Sequence, residues 1–452
     1  MHFNPLNGDY ARETRRGEKI EHHVRLSDDQ YFYYNFAERN MACFSLGLQK
    51  MSCFKNQHQE KAKGRDLVVQ SADGGEDILD AASASTAKHL VVMVNGLVGS
   101  AEDWTFAADQ FVKKFPDKVI VHRSKSNHSR LTFDGVDKMG ERLAKEARAH
   151  RRRPSIERQP TWWPRTVWIH SPAAAVKLVI ERRHGLQKVS FIAHSLGGLI
   201  ARYAVGKLYV PLLNEKPPTV NGNCSENNVS LQPQNKHQGS TIAGLEPMNF
   251  ITFATPHLGS KGNKQLPFLC GFPFLEKRAS QTAHWIVGRT GRHLFLTDND
   301  DGLPPLLLRM VDDFDDLHFI SALRAFKRRV AYANASFDYM VGWRTSSIRR
   351  QDELPKINRH IKNETYPHIV NSEVEKVENH SPKASSAMEG QTVDVEEKMI
   401  RGLTQVPWER VDVSFHRSRQ RYIAHNAIQV KRYWMKSGGA DVVYHMIDNF
   451  LV

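Results

Sequence analysis

The sequence predicts an α/β fold in which helices flank a mostly parallel sheet. Short apolar or β-branched runs of strand length alternate with longer segments whose apolar residues recur at helical spacing. The predicted buried strands begin at Leu90, Val119, Val189, Met248, Val330 and Trp408. The predicted helices are Ala101–Phe115, Asp137–Ala149, Val176–Arg183 and Gly439–Leu451. Strands that alternate with helices in this way favour parallel pairing, because each crossover helix returns the chain to the same end of the sheet.

The stretch around Ser195 refines this prediction to the α/β-hydrolase fold. The strand Val189–Ala193 is followed by His-Ser-Leu-Gly-Gly, and then by apolar residues at helical spacing from Leu199 to Leu208. A strand that turns abruptly into a helix around a serine is the nucleophile elbow of that fold. Ala193 stands where the pattern usually has glycine, a difference of one methyl group. The alternative is an ordinary Ser-Leu-Gly-Gly turn without catalytic meaning.

Two backbone amides are candidates for an oxyanion hole. The helix that follows Ser195 begins with the N–H of Leu196 and carries the positive end of its dipole. The loop after the strand that begins at Leu90 contains Asn95-Gly96-Leu97, and in hydrolases of this type that loop supplies the second N–H. We therefore predict Leu97 and Leu196 as the two donors, with Asn95 as a simple turn residue in the alternative interpretation.

Asp338 and His425 are the candidates for the acid and the base. Asp338 follows the strand that begins at Val330, and His425 follows the last strand, so that Ser195, Asp338 and His425 occur in the α/β-hydrolase chain order. Other residues stay open as alternatives: His257, His416 and His445 for the base, and Asp312, Asp313 and Asp412 for the acid. His257 follows a strand in a Thr-Pro-His turn, where a pocket-lining or turn-forming role is favoured.

The polar segments predict the domain organisation. Residues 1–85 are predicted to be an N-terminal extension or linker, and residues 86–452 the hydrolase domain. Within that domain we predict an irregular insertion at 149–172, a disordered loop at 211–243, a cap at 261–325 and a polar loop at 351–398. The insertion contains three tryptophans and a basic excess, which fits either a membrane-surface loop or an unpacked insertion. Apolar runs in the cap could pack on the core or line a groove for an acyl chain.

The charge, the cysteines and the apolar runs of the sequence narrow the classes of function that we expect for this chain. The net charge of +14 would suit nucleic acid or an anionic membrane surface, but no recognisable nucleic-acid module is present, so nucleic-acid binding is not expected. The four cysteines are scattered, without a CxxC pair, which argues against a disulfide framework or a zinc site. The N-terminus shows no signal-peptide pattern and no apolar run is long enough to span a bilayer. We expect a cytoplasmic protein, with peripheral membrane contact left open.

Six blocks together resemble the lipase-like putative serine esterase family of α/β-hydrolases, a eukaryotic family long described as a domain of unknown function and well represented in plants. The blocks are His89–Ser100, Phe133–Leu143, Phe191–Leu208, Phe253–Gly259, Phe337–Arg349 and Ala424–Val430. The resemblance implies hydrolysis of carboxylic esters of lipids, with Ser195 as nucleophile and Asp338 and His425 at the acid and base positions. Residues 149–172 depart from the family pattern.

The expected reaction is therefore two-step acyl transfer from an ester, with an acyl lipid as the expected substrate and without any metal or organic cofactor. Two other classes use the same scaffold. One is an acyl-thioesterase or protein deacylase, which differs in the leaving group. The other is a non-catalytic protein that binds a lipid or a partner.

Overall fold

The fold is built on a central sheet whose inner strands are buried on both faces. The computed structural model describes residues 78–79, 87–148, 185–211, 239–260, 288–299, 302–357, 363–374 and 395–452, all within the second of the two units, Met1–Ala62 and Lys63–Val452, into which the chain divides. Within these residues the strands are β1 (Ile78–Leu79), β2 (His89–Val94), β3 (Val119–Arg123), β4 (Lys188–His194), β5 (Tyr209–Val210), β6 (Thr241–Ile242), β7 (Glu246–Phe253), β8 (Asp313–Phe314), β9 (Leu317–His318), β10 (Arg328–Asn334), β11 (Ile369–Val374) and β12 (Glu409–Val413).

Eight of these strands form one sheet in the order β1-β3-β2-β4-β7-β10-β12-β11. The six strands from β3 to β12 in that order are parallel to their neighbours, whereas the edge strands β1 and β11 are antiparallel. All six predicted strands are present. This architecture is the α/β-hydrolase fold, as predicted.

Helices cover both faces of the sheet. They are α1 (Thr105–Lys114), α2 (Val136–Arg148), α3 (Leu196–Leu208), α4 (Leu306–Arg309), α5 (Phe319–Ala325), α6 (Trp343–Ser347), α7 (Val395–Leu403), α8 (Ala424–Ala427) and α9 (Lys436–Asp448), with 3-10 turns at Ala101–Trp104, Ser129–Phe133, Arg421–Ile423 and Tyr433–Met435. Strand β2 shows why the sheet needs a helical layer on each face. Its residues alternate between two hydrophobic clusters, Leu90 and Val92 on the side of α3 and Val91 and Met93 on the side of α1 and α9.

The structure differs from the sequence prediction at three polar segments. Strand β1 lies inside the predicted 1–85 extension and pairs with β3. Strand β6 lies inside the predicted 211–243 loop and pairs with β5. Strand β11 lies inside the predicted 351–398 loop, and helix α7 begins inside it and continues to Leu403. The three strands are short or at a sheet edge, where pairing rather than a buried apolar run holds the chain. Helix α7 instead buries Met399, Ile400 and Leu403 in the core.

The end of the predicted cap belongs to the helical layer of the core. Leu306, Leu307 and Met310 are buried in the cluster that contains α3, and Phe319 at the start of α5 packs on α3 so closely that a β-carbon added at Gly206 would lie 2.5 Å from its ring. Residues 261–287 lie outside the described residues, so the cap stays a prediction there. The predicted insertion at 149–172 and the helix at 176–183 also lie outside them.

Among the described residues, no helix combines the length and the apolar character required to cross a bilayer.

Candidate active site

Ser195 lies at a strained turn between a strand and a helix. It follows the last residue of β4 and precedes the first residue of α3, with φ 55° and ψ −129°. A non-glycine residue with positive φ is costly and persists only where the surrounding structure holds it. Here the Ser195 N–H donates a hydrogen bond to the Phe253 carbonyl on the neighbouring strand, at 2.8 Å. The local geometry is that of a nucleophile elbow.

Close packing around the turn explains its two glycines. A β-carbon added at Gly197 would lie 2.6 Å from the Val94 carbonyl oxygen, and one at Gly198 would lie 2.2 Å from Thr255 Oγ1. These distances leave no room for a side chain on the first turn of α3. Ala193, where the pattern usually has glycine, is fully buried, so its extra methyl group is accommodated.

The structure brings Ser195, His425 and Asp338 together. His425 Nε2 lies 3.0 Å from Ser195 Oγ, and His425 Nδ1 lies 3.0 Å from Asp338 Oδ2. Because a carboxylate only accepts, Nδ1–H donates to Asp338, which leaves Nε2 to accept from the serine hydroxyl. The three side chains come from the elbow, from helix α8 and from the loop after β10, and all are at least nine-tenths buried.

Asp338 is held as a carboxylate. Burial alone would raise its pKa, but the adjacent His425 and the hydrogen bonds it accepts bring the pKa below its ordinary value. Its Oδ1 accepts the backbone N–H groups of Met340 and Val341 at 3.0 and 2.9 Å, and its Oδ2 also accepts from Asn334 Nδ2 at 2.8 Å. An ionised, oriented acid can fix the tautomer of the histidine and stabilise its protonated form.

His194 contacts His425, a contact that the sequence analysis did not assign. Its Nε2–H donates to the backbone carbonyl of His425 at 2.6 Å, and the two rings lie 4.7 Å apart between centroids. Burial, followed by the positive fields of His425 and Lys431, lowers the pKa of His194 well below its ordinary value, so the ring stays neutral. The only sequence signal for this contact is its place directly before Ser195.

The loop after β2 lies against the serine. A β-carbon added at Gly96 would lie 2.9 Å from Ser195 Cβ. The loop is held by Val98, whose N–H donates to Thr132 Oγ1 at 2.9 Å, and by Asn95, whose side-chain amide donates to the Asn127 carbonyl at 2.9 Å. Leu97 lies between Asn95 and Val98 in this loop. Among the described residues, neither the N–H of Leu97 nor that of Leu196, at the start of α3, donates a hydrogen bond to an acceptor.

Backbone strain recurs in the loops that form the site. Besides Ser195, the non-glycine residues Val98 and Phe337 have positive φ values of 54° and 61°. Val98 directly follows Leu97, and Phe337 directly precedes Asp338. Strained positions of this kind concentrate at functional sites, where tertiary packing holds a conformation that the local sequence disfavours.

The alternative histidines have other partners. His257 is fully buried, and its Nε2 lies 3.0 Å from Thr252 Oγ1, while burial and the nearby Arg202 keep its pKa well below the ordinary value. His445 Nδ1 lies 2.9 Å from the Tyr332 hydroxyl. The ring of His416 packs beside Phe337, with centroids 5.6 Å apart.

The alternative acids also have structural partners. Asp412 is fully buried and accepts hydrogen bonds from Arg349 Nη1 at 2.8 Å and from Trp343 Nε1 at 2.6 Å. Asp313 accepts the backbone N–H of Ile320 at the start of α5, and Asp312 accepts that of Asp313. Among the described residues, no group of three or more His, Cys, Asp or Glu side chains is arranged to hold a metal ion.

Comparison with known proteins finds relatives that are described as esterases or lipases. The family described as "Putative serine esterase (DUF676)" matches residues 84–348, more than half of the chain, a range that includes Ser195 and Asp338 but ends before His425. The Saccharomyces cerevisiae protein named "Putative lipase ROG1" is 26% identical over 271 residues, which cover 58% of this chain and 28% of that protein. "Putative lipase C4A8.10" of Schizosaccharomyces pombe is 29% identical over 162 residues, 35% of this chain and 16% of that one.

The chain thus spans about a sixth to about a quarter of the length of these two relatives. Among solved structures, the mature Bacillus licheniformis lipase BlEst2 is 16% identical with a TM-score of 0.28, covering 55% of this chain and 67% of that one. A Pyrococcus furiosus esterase is 10% identical with a TM-score of 0.29, covering 64% and 82%. The family match confirms the resemblance identified from the sequence. The chain belongs to the family described as "Putative serine esterase (DUF676)".

Proposed function

We propose that the chain hydrolyses carboxylic esters of acyl lipids, with Ser195 as nucleophile and His425 as general base and acid. Asp338 is the acid that orients the histidine and stabilises its protonated form. The observation that carries the proposal is the continuous hydrogen-bonded path from Ser195 Oγ through His425 to Asp338, with 3.0 Å at each step, at a strained strand-to-helix turn. Membership of a serine esterase family supports the same chemistry.

The first half of the reaction forms an acyl-enzyme. His425 Nε2 accepts the proton as Ser195 Oγ attacks the ester carbonyl carbon, and the buried Asp338 carboxylate stabilises the resulting imidazolium. The oxyanion of the tetrahedral intermediate accepts hydrogen bonds from the N–H groups of Leu97 and Leu196. The alcohol leaves with the proton that His425 returns to it.

The second half regenerates the serine. His425 takes a proton from a water molecule as its oxygen attacks the acyl carbon, and the same two N–H groups stabilise the second oxyanion. Collapse of this intermediate releases the carboxylic acid and returns the proton to Ser195 Oγ. Apart from the ester and the water molecule, these steps use side chains and backbone amides of this chain.

The surroundings of the site favour an apolar substrate. Two exposed apolar side chains directly follow site residues: Val98, which is 45% exposed, follows Leu97, and Tyr339, which is 39% exposed, follows Asp338. Exposed apolar groups beside a reactive serine would contact an acyl chain and release water from both surfaces. The lipases named among the relatives support this substrate class.

The test compares wild type with Ser195→Ala on p-nitrophenyl esters of several acyl lengths. We expect the substitution to remove most of kcat, with a residual acceleration of about 10³-fold over water from the oxyanion donors and binding. A fluorophosphonate should label the wild type and not the variant, because only an activated serine reacts. Undiminished turnover by Ser195→Ala would refute the assignment, absence of labelling in the wild type would favour a non-catalytic binding protein, and faster turnover of thioesters would favour a thioesterase.

A further inference from the structure

The segment that carries His425 is unusually basic. Between Asp412 and Asp441 the chain contains six Lys or Arg residues and no Asp or Glu. We call residues 413–440 the basic segment. It begins where β12 ends, so it starts at the carboxyl edge of the sheet, the same edge at which β4 ends before Ser195.

Close packing joins the two ends of the basic segment into one surface around α8. A β-carbon added at Gly439 would lie 2.0 Å from the carbonyl oxygen of Ala427, so the first turn of α9 lies directly on α8. Gln420 Nε2 donates to the Trp434 carbonyl at 3.3 Å and to Ser437 Oγ at 3.1 Å. The loop before His425 and the loop after it therefore share one face of the molecule.

Not every cation of the basic segment is available to a partner. Lys431 Nζ lies 3.2 Å from the buried Asp103 carboxylate, and the Arg421 guanidinium stacks over the rings of Phe337 and Tyr422. Arg419, Arg432 and Lys436, by contrast, are exposed. They supply a positive surface at the edge of the sheet that holds the site.

Two aromatic side chains lie among these cations and are exposed. Trp434 is 63% exposed and Tyr433 is 54% exposed, although the Tyr433 ring also makes an edge contact with Phe106. A large apolar ring left in water costs free energy unless a partner covers it. Tryptophan and tyrosine flanked by Lys and Arg suit the boundary between lipid headgroups and acyl chains, where the ring is apolar and its polar atom is wet.

We propose that the exposed face of the basic segment, formed by Arg419, Arg432, Tyr433, Trp434 and Lys436, docks onto an anionic phospholipid bilayer. The cations bind the negative headgroups, and the two aromatic rings enter the interface. The consequence for catalysis rests on the proposed function: docking at this face holds the carboxyl edge, and with it Ser195, at the surface that contains ester lipids. Docking does not depend on ester hydrolysis and can be measured without it.

The experiment is flotation of the full chain with phosphatidylcholine vesicles that contain or lack phosphatidylserine. We expect binding to the anionic vesicles that falls as salt is raised. Arg432→Ala/Lys436→Ala should weaken it about 25-fold, since each cation near an anionic surface contributes about five-fold to the partition constant. The matched control is Lys113→Ala/Lys118→Ala, which removes two exposed cations, one in the last turn of α1 and one directly before β3. Both lie near the amino edge of the sheet, opposite the edge that carries the site, and the variant should bind like wild type.

Two further variants separate the possible outcomes. Trp434→Ala should weaken binding at every salt concentration, because it removes apolar rather than charged contacts. Ser195→Ala should bind like wild type, so loss of esterase activity and loss of docking are independent results. Equal weakening by the two double variants, or unchanged binding by Trp434→Ala, would overturn the proposal. Binding of duplex DNA that depends on Arg432 and Lys436, without vesicle binding, would assign the surface to nucleic acid and overturn it as well.

Discussion

Replacement of Asp338 by asparagine tests the proposed role of this carboxylate, which is to orient His425 and stabilise its protonated form, with the least change in shape. The backbone N–H groups of Met340 and Val341 both point at Oδ1, so the asparagine carbonyl oxygen will take that place. The new NH₂ group then occupies the position of Oδ2, where it faces two donors, His425 Nδ1–H and Asn334 Nδ2. Two donors facing a third donor cannot all be satisfied in the present arrangement.

Each of the two conflicts has a different outcome. Asn334 Oδ1 is buried without a hydrogen-bond partner among the described residues, so its amide can rotate by half a turn and accept from the new NH₂. His425 can accept only by moving its proton from Nδ1 to Nε2. The nitrogen that faces Ser195 then carries a proton and can no longer act as the base.

The variant should therefore fold and yet be nearly inactive. We expect kcat for ester hydrolysis to fall about 10⁴-fold, equivalent to about 5 kcal/mol of transition-state stabilisation. The free energy of unfolding should fall by only about 1 to 2 kcal/mol, because most hydrogen bonds are retained. Steady-state kinetics on a p-nitrophenyl ester measures kcat, and urea unfolding measures the free energy of unfolding. The rate of fluorophosphonate labelling should fall together with kcat.

Asp412→Asn is the matched control, since it makes the same chemical change at another buried aspartate. It removes one of the two carboxylates that contact the buried Arg349, which keeps its ion pair with Glu373, so we expect it to lower the free energy of unfolding by about 1.5 to 3 kcal/mol. Below its melting temperature it should retain the wild-type kcat. The reasoning is refuted if Asp338→Asn keeps its rate within about ten-fold of wild type, or if both variants lose activity equally.

Two further predictions concern stability. Gly197→Ala places a methyl group 2.6 Å from the Val94 carbonyl oxygen and should lower the free energy of unfolding by more than about 2 kcal/mol. Gly239→Ala, whose new β-carbon has no atom of the described residues within 4 Å, should change it little in urea unfolding. Similar effects of the two substitutions would contradict the close-packing argument. Burial and the nearby Lys188 lower the pKa of His89 from 6.5 to about 3, so the unfolded chain binds a proton there below pH 6.5 and the folded chain does not until about pH 3. The free energy of unfolding should therefore fall as the pH decreases below about 6.5, by about 1.3 kcal/mol for this group between pH 7 and pH 5.5. His89→Phe should remove that part of the pH dependence, whereas replacement of the exposed His128 by phenylalanine should not. Equal slopes of the free energy of unfolding against pH for wild type and both variants would contradict the assignment.

Much of the fold could be predicted because its signals are local. The apolar strands, the abrupt change of period at Ser195 and the helices after it are all visible within windows of about ten residues. Strand β11 could not be predicted in this way. Its sequence, Ile-Val-Asn-Ser-Glu-Val, is half polar, and it is held at the sheet edge by pairing with β12 and by the ion pair between Glu373 and Arg349, 24 residues away.

The candidate site could be predicted in part for a different reason. Asp338 and His425 each follow a predicted strand, and the carboxyl ends of parallel strands lie at one edge of the sheet. Chain order therefore points to both residues without any contact being visible. The neighbours that orient them could not be predicted, because Asn334 and His194 look like ordinary strand-end residues until the loops above the sheet are in place.

The sequence alone specifies the parallel sheet and the turn that carries Ser195, since strand period, helix period and the demand for small residues depend on neighbours in the chain. The tertiary structure decides which of 22 histidines faces that serine. His257 follows β7, whereas His425 lies in α8 and His445 in α9. Only the tertiary structure separates the one that lies 3.0 Å from Ser195 Oγ from those bonded to Thr252 and Tyr332. The sequence cannot make this choice because a hydrogen bond acts over about 3 Å, whereas Ser195 and His425 are separated by 230 residues of chain.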